Sequence, residues 1–202
     1  MLCTGGGCKK SVAEQLLDTG ELFRRIGAEF FNVVPRDLRS YCSLNSRICQ
    51  YALKRLGVES MLRPCQLWHL GPRGNFVVGF VGNEARAGKW DGHLICVSDM
   101  WIIDSAVSNL ATDFGLQVPD VIVGKCFDLP SRVFARGRLS DQESLMWVEP
   151  PRGFLTIAPE EPHEIIEQYG NNLADAVIRD SFTNDSPALV RPNLGANPNF
   201  LC

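Results

Sequence analysis

No apolar run in this 202-residue chain approaches the roughly 18–20 residues of a bilayer-crossing helix, so no membrane span is expected. The opening decapeptide, MLCTGGGCKK, lacks the apolar stretch of a secretory signal, which also argues against a lipid anchor at Cys3. Cysteine, at about 4% of residues, falls below the 8–10% of a disulfide scaffold, so reduced thiols and a cytoplasmic setting are expected. Neither a C-x2-C nor an H-x3-H pair occurs, so Cys3 and Cys8 have no second half for a zinc site. The glycines of CTGGGC follow no strand pattern, which excludes a phosphate loop. No basic cluster is dense enough for a nucleic-acid partner, and no internal repeat is visible.

What remains has the composition of an ordinary globular domain, 45% hydrophobic and 21% charged. The net charge of −3 hides an uneven distribution. Residues 33–75 carry seven basic side chains against Asp37 and Glu59, whereas residues 139–185 carry ten carboxylates against Arg152 and Arg179. Two complementary solvated faces account for this, as does a positive field around Cys42 that favours a thiolate or an anionic substrate.

Ser11 and Glu14 stand in capping-box spacing, and residues 11–31 read as one helix or two, broken near Gly20. Next comes YCSLNSRICQYALKRLG, with Leu44, Ile48, Cys49, Ala52, Leu53 and Leu56 on one stripe and Gly57 as its C-cap. Strand patterns follow at SMLRPCQLWHL, NFVVGFVG, HLICV and MWIID, then DVIVGKC and SLMWVEP. A final amphipathic helix is expected over 163–182. Helices followed by strands without interleaved helices predict an α+β fold with a mainly antiparallel sheet. The expected organisation is a flexible N-terminus (1–10), one domain (11–182) and an irregular Asn- and Pro-rich tail (183–202).

The segment GHLICVSDMWIIDSA holds the chemistry. With Ser98 and Asp99 as a two-residue turn, Val97 faces Met100, Ile95 faces Ile102 and His93 faces Asp104. A carboxylate on one ring nitrogen fixes the histidine tautomer and leaves the other nitrogen for a nucleophile. Cys42 is the best-placed nucleophile, because unpaired N–H groups and the dipole at a helix start favour a thiolate and can hold an oxyanion. Cys49 lies inside the helix, and Cys96 alternates away from His93. His69 reads as a packed or surface side chain, and His163 as a neighbour of the last helix's cap. Trp90, three residues before His93, is placed to wall a cleft, within the polar glycine-containing stretch NEARAGKWDG.

These residues carry a resemblance. The cysteine-led helix ending in Leu56-Gly57-Val58 resembles that of the transglutaminase-like branch of the papain-like superfamily. The block from His93 to Asp104 is similar to that superfamily's next motif, and to the matching block of the arylamine N-acetyltransferases. The likeness covers residues 36–110, with Leu94 where transglutaminases often have an aromatic residue. It implies a papain-like core, with the cysteine helix packed on the sheet, and a Cys42–His93–Asp104 triad that needs no metal or bound cofactor. Tyr41, Asn45 and Trp90 are the candidates for substrate contact. The implied activity is acyl transfer through a thioacyl intermediate, to water or an amine, from a small acyl substrate or a peptide or protein side chain. A non-catalytic peptide- or protein-binding module on the same scaffold is the alternative, and a structural or redox role for the N-terminal cysteines a lesser one.

Overall fold

A computed structural model describes residues 18–81, 90–127, 132–154 and 156–183. Helix α1 (Thr19–Val33) buries Leu22, Phe23, Ile26 and Phe30, spaced so that one stripe faces inward. Gly20, in its first turn, lies against Trp101, where an added Cβ would sit 2.2 Å from the indole Cζ2. The described helix begins at Thr19 and runs through Gly20, while residues 11–17, with the Ser11–Glu14 box and any helix before the anticipated break, lie outside the described residues.

A single 3-10 turn (Arg36–Leu38) leads to α2 (Cys42–Arg55). This helix stops in a Schellman arrangement, with Val58 N–H on Leu53 O at 2.9 Å and Gly57 N–H on Lys54 O at 3.0 Å. Gly57 supplies the φ of 81° that the arrangement requires.

The strands are β1 (Met61–Leu70), β2 (Phe76–Val78), β3 (His93–Ser98), β4 (Trp101–Asp104), β5 (Ile122–Lys125), β6 (Val133–Arg138) and β7 (Ser144–Val148). They form one antiparallel sheet in the order β5-β4-β3-β1-β7-β6, with β2 alongside β1. β1 holds β3 along Met61–Cys65 and β7 along Gln66–Leu70. The two ends of the sheet approach each other, where Cys126 bridges Ala135 and Phe127 N–H reaches Phe134 O at 2.8 Å. The sheet therefore curls almost into a barrel.

Alternation along each strand separates two cores. Cys65, Leu67, Ile95, Ile102, Leu145 and Trp147 fill the concave interior of the sheet. Cys96 and Ile103 face outward onto α1, α2 and the long α4 (His163–Thr183). Ile166, Tyr169, Leu173 and Val177 of α4 join this second core, on the face expected for them. The fold is α+β, as anticipated. Two elements were not anticipated, α3 (Asn109–Phe114) and β6. The first is too short to show a period, and a register irregularity between Val133 and Ala135 breaks the alternation of the second. The expected N-terminus (1–10) and nearly all of the tail lie outside the described residues, and α4 runs on to Thr183.

The β3–β4 hairpin corrects the expected register. Its pairs are Cys96 with Ile103, Val97 with Ile102 and Ser98 with Trp101, so the turn is Asp99–Met100, not Ser98–Asp99. Asp99 takes φ 47°, which aspartate tolerates better than most residues. Ser98 stays in the strand, its Oγ donating to Glu59 O at 2.5 Å. Moving the turn by one residue displaces the partners by two, which preserves the face. His93 and Asp104 thus share the concave face diagonally instead of directly, and the residue opposite His93 is Cys65 of β1.

Candidate active site

The segment before α2 is fastened from several sides. The Arg39 guanidinium donates to Phe31 O at 2.6 Å and Val34 O at 2.8 Å, closing the end of α1. Asn45 Nδ2 donates to Arg39 O at 2.8 Å, and Asn109 Nδ2 to Ser40 O at 3.2 Å. Asn45 is fully buried, which corrects its expected substrate contact: it braces the backbone leading to Cys42. Tyr41, at the N-cap, is 55% exposed and remains open to a ligand.

Cys42 and Ser46 are one turn apart on α2 and meet alternate residues around the start of β3. Cys42 Sγ lies 3.8 Å from Gly92 O, and Ser46 Oγ donates to Leu94 O at 2.8 Å. This pair of contacts sets the helix start at the rim of the concave core. Beside it, Gly92 is covered by two rings: an added Cβ would sit 2.5 Å from both Phe80 Cζ and Trp90 Cζ2. Phe80 holds φ 54°, unusual for an aromatic residue, and packs edge-on against Trp90 and Phe154 with centroids 6.2 and 5.7 Å away. Trp90 is thus packed on Gly92, whose carbonyl faces Cys42.

His93 is buried, and its Nε2 lies 2.6 Å from Asp104 Oδ2. A carboxylate only accepts here, so Nε2 donates and Nδ1 is the nitrogen left for Cys42. Burial works against a charged imidazole. The Asp104 charge, its hydrogen bond and a hydrogen-bonding contact with Cys42 override this and push the His93 pKa from 6.5 up to about 10. The shift favours the protonated ring, which is held by Asp104 at Nε2 and is in contact with Cys42.

Asp104 is itself held by Ala106 N–H on Oδ1 at 3.1 Å and by Trp147 Nε1–H on Oδ2 at 2.8 Å. Trp147 was missed by the sequence reading. Its signal was the alternation in SLMWV, which sends Leu145 and Trp147 to the same side and leaves a buried indole in need of an acceptor.

The other described cysteines are poor nucleophiles. Burial pushes Cys49 and Cys65 well above the ordinary thiol value, Cys96 up to about 12 and Cys126 up to about 11. Cys42 is the one described cysteine that is not buried. His69 stacks on Phe76 at 4.7 Å and takes no part in the cluster, while His163 opens α4, 3.7 Å from Glu167. No family model, curated protein or solved structure matches the chain.

Proposed function

We propose that this protein is a cysteine-dependent acyl-transfer enzyme on a papain-like, transglutaminase-like core. The observation that carries this reading is the His93 ring, hydrogen-bonded to Asp104 through Nε2 and in contact with Cys42. Cys42, as thiolate, attacks the acyl carbonyl, and the first-turn N–H groups of α2, which have no acceptor within the helix, face the developing oxyanion. His93 gives its Nδ1 proton to the departing group, leaving a thioacyl on Cys42 and a neutral imidazole. That imidazole then takes a proton from the incoming water or amine, whose attack releases the acyl product and restores the thiolate. Asp104 holds Nε2–H throughout. Trp90 and Tyr41 border the approach to Cys42 and contact the acyl substrate. A reducing, cytoplasmic setting fits this chemistry, and the five described cysteines are free thiols.

The test is alkylation of the full chain by iodoacetamide at neutral pH, with mass-spectrometric readout at all eight cysteines. Burial alone slows four of them, so the decisive comparison is Cys42 with and without His93. A large slowing at Cys42 in His93→Ala supports the enzyme. An unchanged rate leaves the binding module.

A further inference from the structure

Trp147 is 1% exposed on the concave side of β7. In the sheet order, β3 and β1 separate β7 from β4, which carries Asp104. The indole therefore reaches Asp104 across the interior of the curled sheet, not from a neighbouring strand. It donates to Oδ2 at 2.8 Å, the same oxygen that lies 2.6 Å from His93 Nε2.

The torsion that orients an aspartate carboxylate is soft and broad, so one donor does not fix its plane. Ala106 N–H holds Oδ1 alone, at 3.1 Å. A second fixed donor on Oδ2 defines the plane and hence the direction in which Oδ2 receives Nε2–H. That direction sets the ring of His93 and the aim of Nδ1 at Cys42. We propose that Trp147 is a positioning residue of this site, acting on Cys42 through Asp104 and His93. The proposal rests on the acyl-transfer reading and adds to it a fourth member on a different part of the sheet.

A tryptophan that merely fills the core and satisfies its N–H would affect stability alone. The two roles separate in a double-mutant cycle on the iodoacetamide rate at Cys42. Trp147→Phe keeps an aromatic ring and removes the donor. It should slow alkylation by roughly 10- to 100-fold, the usual cost of deleting a hydrogen bond to a charged group. Added to Asp104→Ala, the same substitution should slow it no further. Leu145→Ala opens space in the same core without removing a donor to Asp104, and should lower the melting temperature while changing alkylation by less than about twofold.

The proposal is overturned if Trp147→Phe slows the Asp104→Ala protein as much as it slows the wild type, or if Leu145→Ala matches its effect. Should Trp147→Phe not fold, the wild-type chain labelled with nitrogen-15 gives the answer. The indole Nε1–H resonance of Trp147 should then move with the same pH midpoint as the His93 ring, and an indole insensitive to that titration overturns the proposal. If His93→Ala and Asp104→Ala both leave alkylation unchanged, the acyl-transfer reading itself falls and takes the role of Trp147 with it. That result is distinct from additivity in the cycle.

Discussion

His93 and Trp147 donate to one oxygen of Asp104 from strands that are not neighbours in the sheet. With Ala106 N–H on the other oxygen, the carboxylate faces three donors and has no place for a donor of its own. Asp104→Asn turns one oxygen into an NH2 group, which must point at an N–H on whichever side it lies. The expected outcome is a loss of turnover of about 10⁴-fold, the precedent in a related triad. Hydrolysis of p-nitrophenyl acetate is a suitable readout. A loss below about tenfold would show that the carboxylate orients nothing that matters to the chemistry.

The titration of His93 predicts a dependence of stability on pH. Its pKa is raised in the folded protein, from 6.5 to about 10, so the folded state holds a proton that the unfolded chain has released. The stabilisation is complete below about pH 6.5 and is lost as pH rises through 10. The melting-temperature gap between wild type and His93→Gln should therefore narrow steadily across that window. A constant gap would mean that the ring is neutral throughout.

Much of this arrangement was legible because its signals were periodic or local. The stripe from Leu44 to Leu56 and its stop at Gly57 placed Cys42 at a helix start, and the alternation around His93 and Asp104 placed both on one face. The turn was read one residue too early, since Ser98 and Asp99 are both good turn residues. Contacts from outside the hairpin hold the observed turn, among them Ser98's bond to Glu59 O and Cys126 N–H on Met100 O. Asn45 looked available because polarity in a sequence does not reveal burial, and its partner, Arg39 O, belongs to a backbone bend that has no pattern. Trp147 lay about forty residues beyond Asp104, and nothing short of the curled sheet brings the two together.

Ser46 tests how strictly the helix start is docked. Its hydroxyl satisfies Leu94 O inside the protein, so Ser46→Ala leaves a buried carbonyl without that donor. The expected cost is ~1–3 kcal/mol in urea denaturation. Because Ser46 lies one turn from Cys42, the contact of Cys42 with Gly92 O and His93 should loosen and alkylation should slow. A loss of stability with unchanged alkylation would show that the first turn keeps its place without this bond.

Gly92 is the last test, and here space is the constraint, since its φ lies outside the left-handed region. An alanine Cβ would meet Phe80 Cζ and Trp90 Cζ2, each at 2.5 Å. Phe80 is 2% exposed and backed by Phe154, so Trp90 is the ring that must move. Gly92→Ala should cost ~1–3 kcal/mol through overpacking and should disturb alkylation, because Gly92 O faces Cys42. Gly57→Ala is the control. There the strain is in the backbone, at φ 81° with open space around it, so it should cost about 1–2 kcal/mol and leave Cys42 alone. Trp90→Ala should destabilise less in the Gly92→Ala background than in the wild type, because it removes the clash it meets there. Equal losses in the two backgrounds would show that Trp90 does not rest on Gly92 in solution.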